Sequence, residues 1–258
     1  MKVNFYKYQG TGNDFVMIDN RNLLIDKTDL SLVKRLCDRK FGIGADGLIL
    51  IENHPELDFE MIYFNADGTQ SFCGNGSRCA VAFAKKLGII TQTTSFLAID
   101  GVHQATIVDD KVELKMGDVS SIEKTENFFF IHTGSPHYIE YHQNVSEIDL
   151  VREAQKIRYN LRFEKEGTNV NFVEKLDSNS LVMRTYERGV EDETLSCGTG
   201  ATAVALSGFL LHGLASPVKI HVPGGELEIK FKNITNQQFT DIWLIGPAKE
   251  VFSGEIIS

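Results

Sequence analysis

Two cysteines stand out by their sequence context. Cys73 in "SFCGNGSRCA" and Cys197 in "LSCGTGATAV" each begin a Cys-Gly-x-Gly run that leads into a helix-forming stretch. A thiol at a helix start lies beside unpaired backbone N–H groups and the positive end of the helix dipole, and both favour the thiolate. A free thiol, with a pKa near ~8.5, can fall by a unit or more in such a place. The glycines let backbone approach a ligand closely, and the N–H groups after them can hold a carboxylate. Each copy therefore reads as an acid/base thiol beside a carboxylate cradle. The other two cysteines read differently. Cys37 falls on the apolar side of "LSLVKRLCDRK", and Cys79 lies six residues past Cys73 on the same helix; both are expected to be small buried hydrophobes. Four cysteines without a C-x-x-C pair support neither a disulfide framework nor a structural zinc.

The elements that carry these cysteines follow from periodicity. "NFYKY", "FVMID", "LILIE", "FEMIYFN", "FLAID", "QATIV" and "KVELKM" read as short strands in the first half. "DLSLVKRLCDR" and "GSRCAVAFAKKLG" read as helices, the first opened by an Asp or Ser cap and the second closed by Gly88. In the second half the strands are "FFFIH", "HYIEYH", "NVNFVEK", "LVMRTYE", "VKIHV", "ELEIKF" and "DIWLI". "SEIDLVREAQKIRYN" and "GATAVALSGFLLHG" are the helices.

The halves repeat one another. "TGN" at 11–13 matches "TGS" at 133–135, "LILIE" at 48–52 matches "VNFVE" at 170–174, and "MIYFN" at 61–65 matches "MRTYE" at 183–187, each at an offset of 122. A two-residue insertion then moves the offset to 124, which lays Cys73 on Cys197 and Gly74 and Gly76 on Gly198 and Gly200. The expected fold is α+β, with two pseudo-symmetric domains, each a mixed β-sheet curled around the helix that starts at its cysteine. The boundary is expected near residues 115–127. Approximate two-fold symmetry would bring both thiols to one ligand, one on each face. That arrangement suits inversion of a carbon centre: a thiolate removes a proton from one face and a thiol returns one to the other.

Bulk properties narrow the partners. At 258 residues the chain is long enough to bury a sizeable core, and its net charge of −9 gives no electrostatic help to binding nucleic acid or an anionic membrane. No apolar run approaches a membrane span, and "MKVNFYKYQGTGNDF" has neither an apolar h-region nor a cleavage site. A cytoplasmic protein acting on a small molecule, without nucleic-acid or membrane partners, is expected.

The chain resembles the diaminopimelate epimerase family. The likeness is carried by "GTGNDFVMID", "FGIGADGLILIE", "FNADGTQSFCGNGSRC", "TGSPHYI", "GTNVNFV", "YERGVEDETLSCGTGATA" and "GPAKEVFSGEI", which together span essentially the whole sequence. The combination of "CGNG" with "YERGVEDETLSCGTGATA" is the specific part. The resemblance implies a cofactor-independent, metal-free isomerase interconverting LL- and meso-2,6-diaminoheptanedioate, a step in making lysine and cell-wall precursors. It implies Cys73 as proton donor and Cys197 as acceptor, with the roles exchanged in reverse. It implies a carboxylate cradle from Gly74, Asn75, Gly198 and Thr199, and contacts to the remaining substrate groups from Asn13, Asn65, Asn169, Glu187 and Arg188. His137 and Glu187 are implied to tune or orient the cysteines. The family fold has two similar domains, implying 1–118 with 246–258 as one and 119–245 as the other, in a homodimer. Ser135 and Gly47 depart from residues common in the family.

Taken singly, several of these residues have plainer roles: Arg188 an exposed ion pair, His137 a satisfied loop histidine, the asparagines turn residues. The shared position of Asn65 and Glu187 in the repeat favours a ligand-facing role. "GIGADG" at 42–47 fits the dinucleotide fingerprint G-x-G-x-x-G, but follows a helix and precedes a strand, the reverse of the order that motif needs. Two alternatives stay open: a racemase of another amino acid, and a thiol redox switch formed by Cys73 and Cys197.

Overall fold

A hairpin opens the chain. Strands β1 (Lys2–Gly10) and β2 (Asn13–Asp19) are joined by Thr11 and Gly12, with φ of 57° and 87°. Positive φ at both turn positions gives the primed turn that matches the twist of the strands. The computed structural model that shows this describes residues 2–235 and 237–257. The chain divides into two compact units, Met1–Leu114 with Gly246–Ser258, and Lys115–Ile245.

In the first unit, helix α1 (Leu30–Cys37) is started by Asp29, whose carboxylate accepts from the Ser31 and Leu32 N–H groups. It crosses over so that β3 (Gly47–Glu52) lies parallel to β2. All six residues of β3 are buried, because both faces of the sheet are covered. Val16, Ile18, Leu48, Leu50, Ile62 and Phe64 pack with Val33 and Leu36 of α1 on one face. Strand β4 (Phe59–Asn65) runs antiparallel to β3 and leads through a polar loop into α2 (Gly74–Lys86) on the other face. Residues Asn75–Val81, Phe83 and Ala84 of α2 are buried, so this helix forms the centre of its unit. Strand β5 (Thr93–Ala98) returns parallel to β4, followed by antiparallel β6 (Gly101–Val108) and β7 (Lys111–Lys115).

The second unit repeats the sequence of events. Strands β8 (Ile122–Lys124), β9 (Phe129–His132) and β10 (Pro136–Tyr141) are antiparallel neighbours. Helix α3 (Leu150–Arg158) crosses over to β11 (Asn169–Lys175), parallel to β10, and β12 (Ser180–Glu187) runs antiparallel to β11. The short β13 (Asp192–Thr194) folds back on β12 ahead of α4 (Gly198–His212). Helix α4 is apolar on every side and is buried at Gly198 and from Gly200 through Gly208, as a central helix must be. Strand β14 (Val218–Val222) lies parallel to β12, and β15 (Gly225–Thr235) and β16 (Gln238–Pro247) continue antiparallel.

The register agrees with the repeat in detail. Phe15 pairs with Gly47 in one unit, and His137 with Asn169 in the other, both shifted by 122. Even the outer strand has its counterpart. Strand β8 flanks β9 from just upstream, whereas the last strand, β17 (Lys249–Ile257), comes back to flank β1. The two-unit α+β fold expected from the sequence is the fold found.

Several boundaries differ from the periodicity. The "FLAID" strand ends at Ala98, with Ile99 exposed in a turn before Gly101. The helix expected from Ser146 begins at Leu150, after a short 3-10 turn over Val145–Glu147. Both cysteine helices begin at the first glycine of the motif instead of the second, because the cysteine itself takes the extended cap position, with φ of −133° at Cys73 and −128° at Cys197. Among the described residues, no helix is long and apolar enough to cross a membrane.

Candidate active site

The start of α2 is built from β1–β2, the β3 approach and the β4 loop. Asn65 ends β4 and fixes that loop: its Oδ1 accepts from the Tyr63 hydroxyl at 2.8 Å, and its Nδ2 donates to Thr69 Oγ1 at 3.0 Å and Ser71 Oγ at 3.3 Å. Cys73 then caps the helix, its Sγ accepting from the Gly76 N–H at 3.3 Å. Asn13, at the start of β2, has its amide orientation set from outside. Its Nδ2 donates to Asp46 Oδ2 at 2.6 Å, and a carboxylate can only accept. Asn13 Oδ1 therefore points to the Cys73 sulfur, 3.6 Å away, and accepts from Asn75 Nδ2 at 3.4 Å. Asp46 is braced in turn by Arg39 at 2.8 Å. Arg39 also pairs with Asp14, and Lys7, buried, pairs with Asp14 at 2.6 Å. Burial alone would raise the Asp14 carboxyl, but bonds from Arg39 and Lys7 outweigh it and hold it down at about 2.

One turn into α2 lies Arg78, fully buried. Its Nη2 donates to Thr11 Oγ1 at 2.7 Å, and its Nε and Nη1 have no hydrogen-bond partner. Burial pushes the guanidinium down to about 10, against the opposing influence of Cys79 and Cys73. Below the helix start the floor is apolar: a side chain at Gly76 would meet Ile49 Cδ1 at 3.1 Å and Phe15 Cε1 at 3.4 Å.

The start of α4 is built from the equivalent strands with different chemistry. Cys197 is buried, and its Sγ lies 3.5 Å from Thr199 Oγ1. Thr199 Oγ1 is also 2.9 Å from His137 Nε2, and the Thr199 carbonyl accepts from Thr133 Oγ1 at 2.8 Å. His137 Nδ1 lies 3.2 Å from Asn171 Nδ2. Burial pushes the His137 pKa down to about 3, with repulsion from His132 and Arg188 acting in the same direction, so the ring is neutral at ordinary pH. A side chain at Gly200 would meet Asn171 Oδ1 at 2.9 Å and His137 Cε1 at 3.3 Å, where the first unit presents Ile49 and Phe15.

The remaining candidates of the second unit gather around the same end. Asn169 Nδ2 donates to Ser135 Oγ and to the Pro136 carbonyl, both at 2.9 Å, and its Oδ1 accepts from the Arg188 N–H at 2.9 Å. Asn169 thus ties the loop before His137 to the turn after β12. Glu187 accepts from Thr194 Oγ1 at 2.9 Å. Arg188 is exposed, and its Nη1 donates to the Glu166 carbonyl at 2.9 Å. Gly74 and Gly198 are the first residues of their helices, where their N–H groups have no partner within the helix.

The other cysteines are buried, as their helix positions suggested. Burial raises both Cys37 and Cys79 to about 12, so neither ionises at ordinary pH. In "GIGADG" the glycines close the loop between α1 and β3: a side chain at Gly42 would collide with the Arg35 carbonyl at 1.9 Å, and Gly44 has φ of +81°. Among the described residues no three His, Cys, Asp or Glu side chains cluster as a metal site requires.

Several contributors escaped sequence reasoning, among them Arg78, Asp46 and Asn171. Asp46 looked like part of a false nucleotide motif, and Asn171 like one residue of a strand. A polar residue at the centre of the otherwise apolar "NVNFV", aligned with Ile49 in the repeat, was the available signal for Asn171.

Comparison with solved structures defines the fold first. A phenazine biosynthesis protein of Bacillus anthracis matches with a TM-score of 0.75, covering 100% of both chains at 11% identity. A hydroxyproline epimerase from Agrobacterium vitis matches with a TM-score of 0.68, covering 99% of this chain and 92% of that one at 14% identity. At such identities the likeness is one of fold. The sequence comparisons are closer. The family described as diaminopimelate epimerase matches residues 5–122 and 129–251. A diaminopimelate epimerase of Flavobacterium psychrophilum is 52% identical over 254 residues, 97% of this chain and 99% of that protein. The chain belongs to the diaminopimelate epimerase family, and so to the isomerases that act on a small-molecule substrate.

Proposed function

We propose that this chain interconverts LL- and meso-2,6-diaminoheptanedioate by two-base proton transfer at one Cα, in lysine biosynthesis. The observation that supports it best is the duplicated Cys-Gly-x-Gly helix start, one thiol at the same place in each of two related units of a family named for this reaction. In one direction the Cys197 thiolate takes the α-proton, the Cα–H bond breaks, and its electron pair spreads into the adjacent carboxylate. The Cys73 S–H then delivers its proton to the opposite face of Cα. The cycle leaves Cys197 as thiol and Cys73 as thiolate, the state from which the reverse reaction starts. Helix N–H groups at Gly74, Asn75, Gly198 and Thr199 stabilise charge growing on the reacting carboxylate. Asn13, Asn65, Asn169, Glu187 and Arg188 recognise the other amino and carboxylate groups, with Arg188 suited to a bidentate carboxylate contact. His137 and Glu187 orient and tune the sulfurs.

The test is LL-diaminopimelate turnover by the reduced protein, with Cys73→Ser and Cys197→Ser beside it. Loss of either acid/base group is expected to slow turnover by ~10²–10⁴-fold. Turnover of another amino acid only would keep the chemistry and reassign the substrate. Full activity in either variant would end the two-thiol reading. The same reading makes the protein a cytoplasmic homodimer, and the dimer is checked by light scattering on the purified chain.

A further inference from the structure

The second unit holds a chain of hydrogen bonds whose direction can be worked out atom by atom. Asn171 Nδ2 lies 2.9 Å from the Tyr138 carbonyl, which can only accept. Asn171 Oδ1 accepts from Thr185 Oγ1 at 3.0 Å. The two bonds agree, and they fix the amide with its NH2 group toward His137. That nitrogen is 3.2 Å from His137 Nδ1, so Nδ1 must accept. A neutral imidazole that accepts at Nδ1 carries its proton on Nε2. His137 Nε2–H then donates to Thr199 Oγ1, 2.9 Å away, and the Thr199 hydroxyl proton is left to point at the Cys197 sulfur, 3.5 Å away.

We infer that Asn171 is a positioning residue for proton transfer: it fixes the His137 tautomer, and so turns the Thr199 hydroxyl onto Cys197 as a donor. The inference rests on the reading of Cys197 as an acid/base thiol. A donor aimed at sulfur stabilises the thiolate, which is the form that accepts the substrate proton. The relay is neutral throughout, and Asn171, His137 and Thr185 are all buried. The charges that reach His137 are His132 on β9 and Arg188 after β12, and both oppose a second proton on the ring. The ring therefore acts through its tautomer and not through its charge. The first unit cannot build the same relay, since Phe15, Ile49 and Tyr63 stand at the equivalent positions.

Two measurements on the free protein test this without any amino-acid substrate. Nitrogen-15 NMR of His137 in the native protein should show the proton on Nε2 and a bare Nδ1. A proton on Nδ1 would overturn the inference outright, whatever any variant does. In Asn171→Leu the Nδ1-protonated form should appear, whereas Thr185→Val, which cuts a neighbouring bond and leaves the Asn171 donor, should keep the native tautomer. The consequence at sulfur is read by alkylation of Cys197 with iodoacetamide, followed on its own peptide by mass spectrometry. Thr199→Val and Asn171→Leu should each slow it about tenfold, the loss of one hydrogen bond to a charged group. Because the bonds form one chain, the double variant should be no slower than the singles. Additive losses, or an unchanged rate in Thr199→Val, would contradict the relay. A protein that passes these tests yet fails to epimerise diaminopimelate would sink the proposed substrate and leave this inference standing.

Discussion

The two cysteines occupy equivalent cap positions at the start of equivalent buried helices, but their surroundings are of different kinds. Cys73 faces the carbonyl oxygen of Asn13 and shares its unit with a buried cation, Arg78, above an apolar floor of Phe15 and Ile49. Cys197 faces a hydroxyl, and behind it stand a neutral imidazole and an amide. The position of Arg78 is taken in the second unit by Thr202, whose hydroxyl bonds back to the Gly198 carbonyl. The carbonyl beside Cys73 favours S–H, opposed by the Gly76 N–H that donates to the same sulfur, whereas the hydroxyl free to donate to Cys197 favours S⁻. The duplication supplies two thiols, and divergence of the strands beneath them gives each sulfur different hydrogen-bond partners.

The largest expected effect comes from giving the second unit the residue of the first. His137 is neutral in the folded protein down to about 3, whereas an unfolded histidine takes a proton near 6.5. The unfolded state therefore binds more protons below that point. The contribution of His137 to stability is complete above pH 6.5 and is lost as pH falls toward 3, in the order of roughly 3–5 kcal/mol over the window. His137→Phe should remove this part of the acid sensitivity. Urea melts at about pH 7 and about pH 4, on either side of the histidine range, check it: equal pH dependence in the native chain and the variant would contradict the assigned cause.

A smaller contrast is expected at the two motif glycines. Gly200→Ala drives its methyl into the Asn171 amide, which three hydrogen bonds hold in place, and should cost about 1–3 kcal/mol. Gly76→Ala meets the movable ends of Ile49 and Phe15 and gains helix propensity, so its net cost should be below about 1 kcal/mol. Thermal melts that rank the pair in the opposite order would show that the second floor is no more rigid than the first.

The smallest effect should come from Arg78→Met. Removing the buried charge should raise the Cys73 ionisation by about one pH unit or less and leave Cys197 unmoved. Alkylation of the two cysteine peptides across pH reads both shifts at once, and a larger change at Cys197 would reverse the contrast.

Much of this architecture is legible in the amino-acid sequence. The repeat at offsets of 122 and 124 predicted the paired strands, because a strand covered on both faces must stay an apolar run as the sequence diverges. The cysteines were legible because Cys-Gly-x-Gly is rare enough to notice twice. The short strands β8 and β13 were missed; three residues carry no usable periodicity. The relays were missed for a different reason. Asp46 reaches Asn13 across 33 positions, and Asn171 reaches His137 across 34. Such contacts follow from strand register, and register emerges only once the sheet is assembled.

The measurement that bears most directly on the account is proton NMR of LL-diaminopimelate turned over by the reduced protein in D2O, sampled early. Two thiols working on opposite faces predict deuterium in the newly formed meso isomer while the recovered LL substrate keeps its proton. Deuterium entering recovered substrate as fast as product would mean that one base serves both faces, and no exchange at all would mean that the paired cysteines do other work.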